Sequence, residues 1–169
     1  MLIVLLLIQV HSDELVYTDY ESDQEYSWAS LQENNPYTVD AGTDTIKFSF
    51  GDDLTETCQG QKASVIRFSK AGDSCEILGR HQLTFANPFK RKYFSGIGIY
   101  YEGGSLCRDD LWGDIKRRTE FKLICSKKES EFYFINILSD CTTVFEKYSK
   151  AGCSKDVEYS PWVRILFFT

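Results

Sequence analysis

Apolar and polar residues alternate along several short stretches of this chain after residue 41. A period of two residues places apolar side chains on one face of a β-strand and polar side chains on the other, so each stretch predicts a strand with one buried face. No segment keeps a helical period over a dozen positions. The alternating stretches are residues 45–50, 63–68, 96–101 and 120–125.

Residues 131–138 form a longer and more continuous apolar run, which predicts a strand buried on both faces. Turn-forming residues separate the predicted strands at a spacing of roughly ten residues, and this spacing is typical of an antiparallel barrel or sandwich. Because the chain has no internal repeat and no linker, it predicts one all-β domain. The turn segments are residues 51–53, 70–73, 102–105 and 150–152.

The amino terminus begins with an apolar run that ends at small and polar residues near Ser12. Such a run is typical of a secretory signal peptide, which we predict at residues 1–12. The alternative is a buried first strand, because only the α-amine supplies positive charge before the run. Cleavage near Ser12 removes His11 and leaves His81 as the single imidazole of the mature chain.

Six cysteines in a secreted chain predict three disulfides, since an oxidising compartment favours their formation. None of them has the Cys-x-x-Cys spacing of a zinc ribbon or a thioredoxin-like site. Spacing alone leaves the pairing open. The cysteines are Cys58, Cys75, Cys107, Cys125, Cys141 and Cys153.

The net charge of −6 is unevenly distributed. Of the 25 acids, eight lie in residues 13–40, which contain no Lys or Arg, so the other 17 face all 19 bases. We therefore distinguish an acidic arm at residues 13–44. Its aromatic residues predict that part of it adds a strand or packs on the domain. These are Tyr17, Tyr20, Tyr26, Trp28 and Tyr37.

Bases cluster at residues 90–92, 116–118 and 127–128. Two interpretations are open for these clusters. They are either solvated turns or an anion-binding face for a phosphate-bearing or acidic partner.

The sequence predicts no enzymatic activity. His81 alone cannot supply a two-histidine zinc site, and a Ser-His-Asp arrangement would have to use it. Its polar neighbours predict a solvated imidazole at the edge of a loop. The glycine patterns of phosphate loops, dinucleotide folds and serine hydrolases are absent. We predict no cofactor and no metal, although Asp109, Asp110 and Asp114 leave a Ca²⁺ or Mn²⁺ site as the alternative to a solvated loop.

Three motifs occur in order between residues 100 and 153. Tyr-Tyr-Glu-Gly-Gly-Ser-Leu precedes Cys107, Arg-Arg-Thr-Glu-Phe-Lys-Leu-Ile precedes Cys125, and a stretch from Cys141 closes at Cys153. The chain resembles the mannose 6-phosphate receptor homology (MRH) family over residues 45–155. The resemblance implies a flattened antiparallel β-barrel or sandwich of two crossed sheets. It also implies the pairings Cys107–Cys141 and Cys125–Cys153 and, by remainder, Cys58–Cys75.

Lectins of this family hold mannose with a Gln, an Arg, a Glu and a Tyr. The family's Arg falls on Arg117, whereas the Gln position holds Arg67 and the other two positions hold neither Glu nor Tyr. A carboxylate from Asp140 or Glu146 and the ring of Tyr148 are the shifted substitutes that the resemblance suggests. It implies a mannose site that has lost most of its partners. The arginines then favour a phosphate or an acidic peptide, or Arg117 is a solvated base at a strand start.

The resemblance implies a non-enzymatic binding module of the secretory pathway lumen, located in the endoplasmic reticulum, Golgi or endosome–lysosome route, or secreted. Its partner is expected to be a glycoprotein or protein, in a receptor or autophagy-related trafficking role. The first alternative is a lectin for mannose 6-phosphate or high-mannose glycans. The second, a noncatalytic subunit of a glycan-processing enzyme, lacks the expected amino-terminal region. Residues 156–169 are expected to be a tail or a closing strand, with no membrane span and no nucleic-acid partner.

Overall fold

The computed structural model describes residues 15–72, 74–109 and 113–156. The predicted signal peptide and residues 157–169 lie outside the described residues. Short 3₁₀ segments occur at Ala29–Asn34, His81–Leu83 and Lys150–Gly152. The strands are β1 (Val16–Asp19), β2 (Gln24–Ser27), β3 (Tyr37–Ala41), β4 (Asp44–Phe48), β5 (Thr57–Cys58), β6 (Gln61–Lys62), β7 (Val65–Ser69), β8 (Cys75–Gly79), β9 (Thr84–Lys90), β10 (Ser95–Tyr101), β11 (Leu106–Asp109), β12 (Gly113–Lys116), β13 (Arg118–Cys125), β14 (Tyr133–Ile137), β15 (Thr142–Ser149) and β16 (Lys155–Asp156).

A four-stranded sheet has the order β3-β4-β7-β8, and all of its neighbouring strands run antiparallel. The predicted alternation is clear in β4, where Ile46 and Phe48 are fully buried and the residues beside them are half-buried. One face of this sheet therefore lies on the main core, as the period of two predicts. A second, smaller buried cluster that includes Ile66 and Ile77 covers part of the opposite face.

A five-stranded sheet has the order β14-β15-β13-β10-β9. Its strands pair antiparallel except for β13 and β15, which run parallel from Arg118 opposite Thr142 to Cys125 opposite Ser149. The all-β prediction with two main sheets is confirmed, but this pair departs from a purely antiparallel arrangement. The reason is that β14 lies between β13 and β15 in the chain. Because β14 runs antiparallel to β15, the chain reverses direction twice after β13, and β15 runs parallel to β13.

The two main sheets enclose one aromatic core. Phe48 of β4 lies at its centre, with ring centroids 4.9 Å from Phe121, 5.0 Å from Phe132 and 5.0 Å from Phe145. Such close contacts of buried rings contribute both apolar burial and specific ring geometry to stability.

Residues of the acidic arm are part of the folded domain. Trp28 and Leu31 lie in the main core at 2% and 4% exposure. The side chain of Asn35 accepts a hydrogen bond from the backbone N–H of Phe50 at 2.9 Å and donates one to its carbonyl at 2.8 Å. Because β3 also pairs with β4 across the expected boundary at residue 44, the arm and the domain form one unit.

The strand predicted to be buried on both faces is exposed, so that prediction is wrong. β14 is the edge strand of the five-stranded sheet, and Tyr133, Ile135 and Ile137 on it are exposed. Within β14 only Phe134 packs against the core, together with Phe132 just before the strand. The apolar run does form a strand, but an edge position leaves its outer side without a neighbour.

The three predicted disulfides are confirmed. Their Cα–Cα distances are 5.7, 6.3 and 4.4 Å, within the range that a disulfide spans. None of the helical segments within residues 15–72, 74–109 and 113–156 has the length and apolar composition that a membrane span requires. The bonds are Cys58–Cys75, Cys107–Cys141 and Cys125–Cys153.

Candidate functional site

Arg67 and Arg117 meet on one carboxylate, that of Glu76. Arg67 lies on β7, Glu76 lies opposite it on β8, and Arg117 precedes β13. The Nη2 of Arg67 donates to Oε2 of Glu76, and the Nε of Arg117 donates to Oε1. Asp44 stands further out, with Oδ2 4.0 Å from Nε of Arg67. The site is therefore a cation–anion–cation cluster, which we call the arginine cluster: Arg67, Glu76 and Arg117.

The arginine cluster is partly withdrawn from water. The side chains of Arg67, Glu76 and Arg117 are 25%, 21% and 16% exposed. Charge-assisted hydrogen bonds in such surroundings are stronger than those between neutral groups. Both oxygens of Glu76 are occupied by guanidinium donors, so the arginines already have a resident anion.

The Gly-Gly turn holds the backbone of Arg117 in place. The N–H of Gly104 donates to the carbonyl of Arg117 at 2.9 Å, and the N–H of Arg117 donates to the carbonyl of Ser105 at 2.9 Å. A Cβ at Gly104 would lie 2.7 Å from the carbonyl oxygens of Arg117 and Ile77. Only glycine allows this approach, which explains the turn motif before Cys107.

Two open clefts flank the arginine cluster. The first, of about 380 Å³, is lined by Arg67, Glu76 and polar neighbours such as Ser105. The second, of about 390 Å³, contains Arg117 and combines charged groups with apolar side chains. We call the second the mixed cleft; it is lined by Leu83, Glu102, Gly103, Ile115, Lys116, Arg117, Arg118 and Asp140.

Asp140 lies in the mixed cleft, where Nη2 of Arg118 donates to its Oδ2 at 2.8 Å. The backbone N–H of Thr142 donates to its Oδ1 at 3.2 Å. Burial raises the pKa of Asp140, but the hydrogen bonds from Thr142 and the charge of Arg118 outweigh that effect and hold the pKa below its ordinary value. Asp140 thus supports Arg118 rather than Arg117.

We expect Asp140→Asn to lower the free energy of unfolding by less than about 1 kcal/mol, because both side chains of this ion pair are well exposed. A lowered carboxyl pKa stabilises the fold above the ordinary value of 3.8 and loses its effect as the pH falls through the folded value. Urea unfolding at neutral and at acidic pH measures this, and the difference between wild type and variant should vanish in acid. A variant that stays less stable in acid would contradict the ion-pair explanation.

Glu146 and Tyr148 are not brought to the arginine cluster. Both lie on β15, where Glu146 faces Lys122 and Tyr148 faces Ile124 across the parallel pair. Because this pair starts at Arg118 opposite Thr142, Glu146 is four strand residues away, or about 13 Å at the usual rise per residue. Tyr148 is further still and is 45% exposed. These two side chains therefore do not replace the missing Glu and Tyr.

Glu146 instead lines a cleft of about 260 Å³ on the outer face of the five-stranded sheet, which we call the outer cleft. The phenol of Tyr100 donates to Oε1 of Glu120 there at 2.7 Å. Burial, followed by the hydrogen bond to Glu120 and its charge, raises the pKa of Tyr100 to about 12. The residues along this cleft are Asn87, Phe89, Arg91, Phe94, Tyr100, Glu120, Lys122, Ile124 and Glu146.

The Tyr100 phenol is expected to ionise only at about pH 12, above the ordinary tyrosine value of 10.0. A raised folded pKa contributes stability that is present below pH 10.0 and is lost as the pH rises toward 12. Ultraviolet titration measures this ionisation. Compared with wild type, the Tyr100→Phe variant should lack one phenol that ionises late in the titration. A loss from the early part of the titration would contradict the buried hydrogen bond.

Glu76 is the site residue that the sequence did not reveal. Its one signal is local: a hairpin between β7 and β8 can pair residues nine apart, and Arg67 and Glu76 have opposite charges. The second contact, to Arg117, joins residues 41 apart in sequence and depends on the packing of β8 beside the start of β13.

His81 differs from its prediction, because its side chain is only 14% exposed. Its Nδ1 lies 2.8 Å from Oγ of Ser64 and 3.3 Å from Oδ1 of Asp53. Both contacts fall on the same ring nitrogen, whereas a catalytic triad uses one nitrogen for each partner. Ser64 is also fully buried, so this trio fixes the loop before β7 to the end of β8 and offers no accessible nucleophile.

The acidic loop proposed as an alternative cation site lies partly outside the described residues, which omit 110–112. Within the described ranges, no group of three or more His, Cys, Asp or Glu is arranged to hold a metal ion.

No protein-family model matches this sequence, and no curated protein sequence matches it. Among solved structures, the chain is similar to domain 11 of chicken IGF2R, with 18% identity, a TM-score of 0.59 and coverage of 84% of this chain and 93% of that one. It is similar to domain 11 of the echidna mannose 6-phosphate/IGF2R receptor, with 15% identity, a TM-score of 0.59 and coverage of 86% and 98%. The MRH domain of Yos9 complexed with α3,α6-Man5 matches at 13% identity, a TM-score of 0.49 and coverage of 73% and 80%. The two receptor domains show that the described chain has their fold, and this confirms the expected MRH-like fold.

Proposed function

We propose that this domain is a non-enzymatic binding module of the secretory pathway lumen that recognises a protein surface rather than a mannose ring. The observation that carries the proposal is the double use of Glu76. A sugar needs free guanidinium donors for its hydroxyls, and here the nearest donors of Arg67 and Arg117 are bonded to Glu76. The three disulfides support an oxidising compartment.

The mixed cleft is the surface that fits a protein partner. Leu83 and Leu106 nearby are 52% and 68% exposed, and Lys116 supplies positive charge at the same edge, where Asp140 offsets the charge of Arg118. Exposed apolar residues beside bases are typical of contacts with an apolar and acidic protein segment. A glycoprotein or protein cargo carrying such a segment is the expected partner, in a receptor or autophagy-related trafficking role.

A library of secreted proteins displayed on cells would test this proposal. Wild-type domain should capture clones that are lost with Leu83→Asp and with Lys116→Ala. Tyr20→Ser is the matched control, because Tyr20 is 78% exposed and lies in the acidic arm. Clones that the Leu83→Asp and Lys116→Ala variants capture as well as wild type does would place the binding surface elsewhere and contradict the proposal.

The second candidate is a lectin for mannose 6-phosphate or high-mannose glycans, favoured by the two arginines at one site. A glycan array with the oxidised domain separates the two candidates. We expect no signal that free mannose or mannose 6-phosphate competes away. A competed signal that disappears in Arg117→Ala would establish the lectin and overturn the first candidate.

A further inference from the structure

The turn between β9 and β10 is exposed, basic and aromatic. Lys90 ends β9, and β10 begins at Ser95. All residues from 90 to 95 are exposed, and Tyr93 and Phe94 reach 83% and 41%. Adjacent aromatic rings with this much exposed surface leave apolar area that a partner can bury. We call residues 90–94 the basic tip.

The charge of the basic tip is opposite to that of the whole chain. Residues 77–101 contain no Asp or Glu, although the net charge of the chain is −6. Lys90, Arg91 and Lys92 make no ion pair with any residue of the described ranges. Arg91 also lines the outer cleft with Glu120 and Glu146, so part of its charge is offset there.

The bases and rings of the tip are held side by side. Cζ of Arg91 lies 5.9 Å from the ring centroid of Phe94, and Nζ of Lys92 lies 5.1 Å from that of Tyr93. Cation–π contacts of this kind keep a charged head beside an aromatic ring. A flat anionic surface with an apolar layer beneath it would therefore meet both kinds of group together.

The basic tip lies at the end of the sheet opposite the arginine cluster. At the tip end, Gly96 of β10 faces Ile124 of β13, and the exposed Lys127 and Lys128 follow β13. The other end of β10 is Tyr101, opposite Thr119. The seven residues of β10 separate the two ends by about 20 Å. One end can thus contact a surface while the other stays free.

We propose that the basic tip binds the surface of an anionic phospholipid membrane. Lys90, Arg91 and Lys92 contact the headgroup phosphates, with Lys127 and Lys128 adding to the field. Tyr93 and Phe94 enter the interfacial layer, where aromatic side chains are favoured. The contact is peripheral and depends on salt, because bases near such a surface act through electrostatic attraction that ions screen.

Co-sedimentation with vesicles tests the proposal. The full oxidised domain should bind vesicles of phosphatidylcholine and phosphatidylserine at least about a hundredfold more tightly than vesicles of pure phosphatidylcholine. A variant that combines Lys90→Gln, Arg91→Gln and Lys92→Gln should have an association constant for these vesicles about a hundredfold lower than wild type. Tyr93→Ser with Phe94→Ser should reduce it about tenfold. Moderate salt should weaken wild-type binding.

The matched charge control combines Lys62→Gln, Arg108→Gln and Lys155→Gln, three exposed bases on other elements. This control should keep most of the vesicle binding of wild type, which separates a local contact from net charge. Equal losses in the tip and control variants would overturn the proposal. Full vesicle binding after removal of both rings would also overturn it, because the rings would then contribute nothing at the interfacial layer. Tip-dependent self-association without lipid would overturn it as well, because it would indicate a second copy as the partner.

Discussion

Replacing Phe48 with alanine should lower the free energy of unfolding by about 3–5 kcal/mol. Phe48 is fully buried, and its ring lies within 6 Å of those of Tyr37, Phe50, Phe121, Phe132 and Phe145. Truncation removes apolar burial and leaves a cavity that both sheets line. Urea unfolding of the oxidised protein measures the loss. The slope of the unfolding free energy against urea concentration should stay unchanged if the folded and unfolded states keep their compactness.

Phe85→Ala is the matched control for Phe48→Ala, because Phe85 is 43% exposed and stacks on Tyr100 with a centroid distance of 4.4 Å. Its loss should cost only about 1 kcal/mol. Phe48→Leu keeps most of the buried volume and should cost less than Phe48→Ala, so it serves if the alanine variant does not fold. Similar costs for Phe48→Ala and Phe85→Ala would show that the core does not centre on Phe48.

The strands were predictable wherever one face of a strand lies on the core. In β4 and β10 the alternation of the sequence matches the burial of Ile46, Phe48, Ile97 and Ile99. In β14 the same kind of evidence failed, because apolar content shows that a strand forms but not how many neighbours cover it. Position at a sheet edge is a property of the whole topology, which a local pattern does not contain.

The candidate site was predictable only in its arginines. Motif spacing located Arg117 and Arg67, and the structure brings both to Glu76. The expected substitutes Glu146 and Tyr148 lie further along β15, because the parallel pairing of β13 and β15 sets their distance from Arg118. Residues a few positions apart on one strand are separated along the sheet, and counting from a cysteine does not reveal this distance.

The resident carboxylate of Glu76 changes what the two arginines can bind. A lectin site needs donors that are free to grip ring hydroxyls, whereas a protein-binding domain needs this part of its surface to be fixed. Glu76 fixes it, since it joins β7, β8 and the start of β13 through two charge-assisted bonds. Its removal should therefore affect both stability and anion binding.

We expect Glu76→Gln to lower the free energy of unfolding by about 2 kcal/mol, because two partly buried guanidinium groups lose their shared anion. Sulfate should then stabilise Glu76→Gln more than wild type at matched ionic strength, since an anion that binds only the folded state raises its stability. Thermal unfolding in sulfate and in chloride measures both effects.

Glu56→Gln is the control: its ion pair with Lys47 is well exposed and should be worth less than about 1 kcal/mol, with no extra response to sulfate. Equal behaviour of the two variants would mean that the arginines do not depend on Glu76, and the mannose-binding interpretation would regain its support.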